Sequence, residues 1–288
     1  KKCTRCLKKC DKINPEKNPI TKDTYIENIN RIQDLIKQGK VYELNYCIPH
    51  TSDYLEFSPI DFQLSLIDKS PVPMAAYFSA NSLHLCGASM ERYLAKNKSV
   101  LLSQPIKGTI RKGETLEEDQ ALISELVNSE KDRAENVMIV DLVRNDLNKI
   151  CQTSTVKVTE LFEIYSYLQV HQMISTIEGK LKPKTTLTDI LKATFPMGSM
   201  TGAPKISAMK HIDQLESFKR GWYSGSVGYI DPNGDFDFNV VIRSLLCDKD
   251  EKTLNYCAGG AITIDSIPEK EWDEIQVKTK AISEVLNN

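Results

Sequence analysis

The chain has 288 residues, 41% of them apolar, enough to bury one large α/β core or two modest ones. A formal net charge of −2 gives no bulk electrostatic reason to expect nucleic acid as a partner. No apolar run reaches the roughly 20 residues that a membrane helix needs, and no signal-peptide pattern stands out, so no membrane role and a cytoplasmic location are expected.

Residues 1–23 read as a basic segment, with Lys1, Lys2, Arg5, Lys8 and Lys9 around Cys3, Cys6 and Cys10. The CxxCxxxC spacing has no fourth metal donor nearer than His50, and no second CxxC follows, so its thiols read as incidental. The remaining cysteines lie in unlike contexts, which predicts free thiols.

Residues 24–288 are expected to form a single domain, since no long linker and no repeat divides them. Ile26, Ile29, Ile32, Leu35 and Ile36 have helical spacing, and Gly39 ends that helix. Val41 to Ile48 reads as a strand. Ala75 to Phe78 and Leu83 to Cys86 read as a strand pair around Asn81-Ser82, and Val100-Leu101-Leu102 as a buried strand. Helices are expected at Glu117 to Asn128, Glu130 to Ile150, Leu187 to Ala193, Pro204 to Leu215 and Glu269 to Leu286. Further strands are expected at Val156 to Leu161, Gln172 to Gly179, Ser226 to Ile230, Phe238 to Leu246 and Leu254 to Ala258. Runs of strands with turns such as Asp231-Pro232-Asn233-Gly234 point to an α+β layered fold: mainly antiparallel sheets with outer helices.

Several groups on this frame can carry chemistry, and each also has a plain reading. Ser129-Glu130-Lys131-Asp132 and Ser266-Ile267-Pro268-Glu269 both look like helix starts. They place Asp132 with Glu135, and Glu271 with Glu274 and Lys278, on single helix faces. Two such acidic pairs facing each other offer hard oxygen ligands for Mg²⁺, or are ordinary solvent-facing acids. Small and hydroxyl residues from Gly198 to Ala203, including Ser199 and Thr201, precede a helix opened by Pro204. Gly259-Gly260 follows a strand. Either stretch can receive an anion through backbone amides, or merely turn the chain. Arg243 in an apolar strand calls for a carboxylate partner. His171, Glu91 and Tyr223 read alone as structural, surface and packing residues. Lys107, in Gln104-Pro105-Ile106-Lys107-Gly108-Thr109, reads alone as a solvated lysine beside a turn that ends a strand.

The order of motifs adds to these readings. "ASMERYL", "PIKGT", "KDRAENVMIVDLVRNDL", "HQMISTIEG", "FPMGSMTGAPKISAM", "RGWYSGSVGYI", "NVVIRSLL", "CAGGAIT" and "PEKEWDEIQVKTKA" follow one another along the chain. Together they resemble the chorismate-utilising enzymes, which include anthranilate, isochorismate, salicylate and aminodeoxychorismate synthases. The resemblance runs from about Ile26 to Leu286 and implies a two-layer α/β sandwich with a Mg²⁺-dependent chorismate site.

It also implies roles. Glu135 and Glu274 would be the inner Mg²⁺ ligands, with Asp132 and Glu271 acting through water. Gly259, Gly260 and Lys278 would lie near the ring carboxylate of chorismate, and Arg243 and Tyr223 would bind the enolpyruvyl carboxylate. Ser199 and Thr201 would line the pocket, His171 would lie beside the substrate ring, and Glu91 would protonate the departing hydroxyl. Two positions separate the family's branches. The aminodeoxychorismate branch resembles this chain in reading "PIKGT", which makes Lys107 a covalent nucleophile later displaced by ammonia; such a lysine must be partly neutral. At Glu43 the water-using branches carry a lysine and the ammonia users commonly a glutamine, so the glutamate argues against water but has no assigned role. Met90 and Ser103-Gln104 also depart from the family pattern. Relatives have a longer N-terminal portion, so the chain is expected to be shortened, and ammonia would come from a separate glutamine amidotransferase subunit.

Overall fold

The computed structural model describes residues 13, 14, 17 and 19–287; the Cys3, Cys6 and Cys10 cluster lies outside them. In chain order the first elements are α1 (Lys22–Lys37), β1 (Glu43–Asp53), α2 (Pro59–Lys69), β2 (Met74–Ala80) and β3 (Leu83–Ser89). Next come β4 (Arg92–Asn97), β5 (Val100–Gln104), β6 (Ile106–Arg111), α3 (Leu116–Asn128) and α4 (Glu130–Ile150). Then follow β7 (Lys157–Ser166), β8 (Val170–Lys180), α5 (Leu187–Thr194), β9 (Gly202–Ala203) and α6 (Lys205–Leu215). The chain closes with β10 (Gly228–Ile230), β11 (Phe236–Asn239), β12 (Ser244–Asp248), β13 (Thr253–Ile262) and α7 (Pro268–Leu286).

The strands form two antiparallel sheets. The first has the order β2-β3-β12-β13-β1-β9. In the second, β10-β11-β4-β5 leads to β8, which also pairs with β6 and β7. With its helices this is the α+β layered architecture expected from the strand runs.

Strand β1 shows how the first sheet is covered on both faces. Leu44, Tyr46 and Ile48 pack with Tyr25, Ile29 and Ile32 of α1, Ala208 and Ile212 of α6 and Ile275 of α7. The alternate residues Glu43, Asn45 and Cys47 are buried as well, but on the opposite face. A second cluster joins Phe62 and Leu66 of α2 to Leu245 of β12 and Ile282 of α7. The other sheet has its own core, where Val140 and Leu147 of α4 and Ile190 of α5 meet Leu94, Leu101, Ile177 and Phe236.

Three features depart from the sequence expectation. The run Phe238 to Leu246 is not one strand: the chain leaves the second sheet at Asn239 and enters the first at Ser244, with Arg243 at φ +51° between them. Hydrophobic content reads the same on both sides of such a crossing, so composition does not reveal it. A second crossing, at Met90-Glu91, links β3 of the first sheet to β4 of the second. The two lie side by side: Val240 N–H donates to Glu91 O (3.0 Å), Ser89 Oγ to Val240 O (2.6 Å) and Ala88 N–H to Arg243 O (3.0 Å).

The second departure concerns Pro105, which separates β5 from β6 without turning the chain. Ser103 pairs with Ile177 and Ile106 with Ile174, so β5 and β6 run along β8 in continuous register. The third is at Gly259-Gly260, which lies inside β13 rather than after it. A Cβ on Gly259 would come within 2.4 Å of Tyr46 O, so glycine is needed for β13 to approach β1. Sequence reasoning also missed α2, β4, β6 and β9, the three strands being only two to six residues long.

Candidate active site

A cavity of about 380 Å³ opens between the two sheets and the N-terminal parts of α4 and α7, within the size range of small-molecule sites. The lysine in question reaches it through a β-bulge. Between Ile106 and Thr109 the register of β6 on β8 shifts by one residue, and the extra residue lies in Lys107-Gly108. Gly108 adopts φ +85°, a conformation that favours glycine, and a Cβ there would lie 2.9 Å from Leu126 Cδ1 and 3.1 Å from Asp132 Cβ. The bulge directs Lys107 into the interior, so it is not a solvated surface lysine.

Lys107 Nζ lies 3.2 Å from Glu43 Oε1 and 3.6 Å from Glu135 Oε2. The Glu43 side chain is 1% exposed and its other oxygen has no hydrogen-bond partner. Burial disfavours the Lys107 ammonium, but Glu43 and Glu135 together outweigh it and hold Lys107 above the ordinary lysine range. The free site therefore keeps Lys107 protonated, whereas the sequence reading called for a partly neutral amine. The reason is tertiary: the charges that reach Lys107 are carboxylates brought from β1 and α4.

Glu91 borders the same cavity from the Met90-Glu91 crossing. It is 6% exposed, and burial raises its carboxyl to about 7, against the pull of the Ser199 hydroxyl and of Lys107. A carboxyl in that range is a competent proton donor near neutral pH. The crossing between Asn239 and Ser244 supplies Arg243, which is not in a strand and has no carboxylate partner among the described residues. Its Nη1 donates to the Lys278 carbonyl at 2.8 Å. Burial lowers its pKa, against the pull of Tyr223 and Glu274; a desolvated guanidinium to which no carboxylate is bonded among the described residues can receive an anion. Tyr223 and Ser199 line the same wall.

Four carboxylates close the remaining side: Asp132 and Glu135 from α4, Glu271 and Glu274 from α7. Ser129 caps α4 by accepting from the Asp132 N–H at 3.3 Å, as the sequence suggests. Ser266 does not cap α7. Its hydroxyl donates to Glu271 Oε1 (2.8 Å) and so fixes a carboxylate instead. Lys278 Nζ bonds Glu274 Oε1 (2.6 Å) and the Gly259 carbonyl (2.8 Å). Burial lowers the Lys278 pKa and Arg243 adds to this, against the pull of Glu274. Gly260 borders this group, since a Cβ there would lie 3.3 Å from Glu271 Oε2 and 3.6 Å from Lys278 Nζ.

Among the described residues no three carboxylate, histidine or cysteine groups already converge at metal-binding distance. The donor set nevertheless fits Mg²⁺, which takes one or two carboxylates and completes its shell with water or substrate oxygens. Glu135 Oε1, buried and without a hydrogen-bond partner among the described residues, with only the Lys131 ammonium 3.9 Å away, is an oxygen that such an ion could take.

Two expected residues stand outside the cavity lining. His171 is 1% exposed, with Nδ1 2.8 Å from Ser166 Oγ and Nε2 2.8 Å from Asp119 Oδ1. Thr201 is buried, and its hydroxyl donates to the Met197 and Gly198 carbonyls of the turn that carries Ser199. Conversely, Asn45 and Lys131 line the cavity without having been singled out. Asn45 was readable only as a polar residue in an apolar strand, and Lys131 only as a member of the acidic helix start.

A family model described as chorismate binding enzyme matches residues 4–284. The chain is 42% identical over 264 residues to the chloroplastic aminodeoxychorismate synthase of Arabidopsis thaliana, covering 91% of this chain and 28% of that protein. Over 268 residues it is 35% identical to aminodeoxychorismate synthase component 1 of Bacillus subtilis, covering 93% and 56%. Among solved structures, anthranilate synthase component I from Streptococcus pneumoniae superposes with a TM-score of 0.82 at 32% identity, covering 94% of this chain and 60% of that one. The chain thus spans less than two thirds of the length of these relatives. By the extent of the match and the shared fold, it belongs to the chorismate-binding enzyme family.

Proposed function

We propose that the chain acts as component I of an aminodeoxychorismate synthase, converting chorismate and ammonia to 4-amino-4-deoxychorismate in folate synthesis. The observation that carries this reading is Lys107, turned by the bulge into a cavity that Glu91 also borders. The aminodeoxychorismate synthases of A. thaliana and B. subtilis support it as relatives.

In this reading Arg243 and Tyr223 receive the enolpyruvyl carboxylate, while the Gly259 and Gly260 backbone and Lys278 face the ring carboxylate. Glu135 and Glu274 would hold Mg²⁺, with Asp132 and Glu271 supporting them through water; the ion supplies Lewis acidity and a fixed seat for that carboxylate. Lys107 first gives up a proton, and Glu43 Oε1 at 3.2 Å is an acceptor in reach. The neutral amine then bonds to the ring as the ring C–O bond breaks, and Glu91 delivers its proton so that the hydroxyl departs as water. Ammonia next bonds to the carbon that lost the hydroxyl, the Lys107 bond breaks, and the surplus ammonia proton returns to a base. The ammonia is taken to come from a separate glutamine amidotransferase subunit. Cysteines 47, 86, 151, 247 and 257 are free thiols, which supports a reducing compartment such as the cytoplasm.

The similarity to anthranilate synthase component I of S. pneumoniae favours one competing reading, in which Lys107 merely lines the pocket. Incubation with chorismate, Mg²⁺ and ammonium, followed by mass spectrometry of the products, separates the two. Aminodeoxychorismate is expected; anthranilate or isochorismate as main product overturns the proposal, as does no product from folded protein. Lys107→Ala is expected to abolish any protein–substrate adduct in the intact mass spectrum.

A further inference from the structure

The acidic side of the cavity already contains a cation of its own. Lys131 Nζ lies 3.4 Å from Glu271 Oε1 and 3.9 Å from Glu135 Oε1, spanning carboxylates from two helices. Both contacts are loose beside the 2.6 Å between Lys278 and Glu274. The Lys131 side chain is 52% exposed, against 11% for Lys107 and 23% for Lys278. Of the three ammonium groups at this site it is therefore the one with solvent beside it and a long stem free to swing.

Glu271 and Glu135 do not move as easily. Glu271 is anchored by Ser266, and Glu135 is fixed on the first turns of α4 beside Lys107. Two carboxylates turned towards one space repel unless a cation lies between them. A hard divalent ion held by Glu135, with one of its waters on Glu271, takes up these same oxygens and leaves no room for an ammonium between them.

We propose that Lys131 is an exchangeable internal counter-ion: it bridges Glu135 and Glu271 in the free protein and swings into solvent when a divalent cation enters. The inference rests on the metal reading of the proposed function and adds to it. Lys131 steadies the metal-free site and, by competing for its oxygens, weakens the affinity for the ion.

Mn²⁺, followed by electron paramagnetic resonance of the free ion, serves as the probe, with no substrate present. Lys131→Met is expected to bind Mn²⁺ about two- to fivefold more tightly than the wild type, the range of a partly exposed ion pair. Its melting temperature in EDTA should be lower than wild type, and the rise produced by Mg²⁺ larger. Lys131→Arg, which keeps the charge, should retain the wild-type affinity. Equal or weaker Mn²⁺ binding by Lys131→Met, with the wild type binding normally, overturns the counter-ion role and leaves the metal reading standing. No Mn²⁺ binding by any of the three proteins overturns both.

Discussion

Glu91 and Lys107 share a cavity, yet burial acts on them with opposite results. Around Glu91 burial prevails, and the carboxyl rises from 4.5 to about 7. A general acid works only while protonated, so kcat/KM should be level below about pH 7 and fall roughly tenfold per unit above it; a profile flat to pH 9 contradicts the assignment. Stability carries the same signature. A carboxyl raised on folding contributes fully below its unfolded pKa, and that contribution is lost as pH rises through the folded value. Glu91→Gln should therefore gain on the wild type between about pH 4.5 and 7, by up to about 3 kcal/mol, measured by denaturant unfolding at pH 5 and pH 8.

Around Lys107 charge prevails. Lys107→Met strands the buried Glu43 carboxylate and should cost about 3–5 kcal/mol. Adding Glu43→Gln should restore most of this, because the fully buried charge is then gone and Glu135 keeps Lys131 as a partner. A double variant as unstable as the sum of the two single ones contradicts the pairing. The sequence showed both residues but not this coupling, since they lie 64 positions apart.

At the scale of elements, the decisive feature is the bulge in β6. "PIKGT" looked like a strand end because proline and glycine usually punctuate the chain. Pro105 keeps its place along β8, and Gly108 absorbs one extra residue, which aims Lys107 inward. Gly108→Ala should cost about 1–3 kcal/mol through its positive φ and the crowding against Leu126 and Asp132. It should also lower turnover by displacing Lys107. A variant with unchanged melting temperature and rate would show that the bulge is not needed. Helices were more legible than strands: α4 begins and ends where its cap and periodicity place it. The split of Phe238 to Leu246 between two sheets was hidden, because both halves are apolar and only pairing partners distinguish them.

At the scale of the whole molecule, the cavity draws its walls from both sheets and two helices. A ligand there should stabilise both sheets as a unit. Saturating chorismate with Mg²⁺, at about a hundred times Kd, should add about 2.7 kcal/mol and shift one cooperative transition upward. Two transitions, only one of them moving, would mean that the sheets unfold separately. Arg243→Gln should lose much of that shift with little change in the unliganded protein.

By itself the sequence determined the α+β class and the helices with clear caps, because periodicity and capping are local chemistry written within a few positions. The ordered motifs supplied the family. Only the tertiary structure decided that Lys107 meets carboxylates rather than solvent and that Arg243 stands on a crossing without a carboxylate partner among the described residues. It also showed that Ser266 holds Glu271 instead of capping a helix, and that His171 and Thr201 are engaged outside the cavity. Charge state and orientation depend on neighbours brought together from distant parts of the chain, and no local pattern records them.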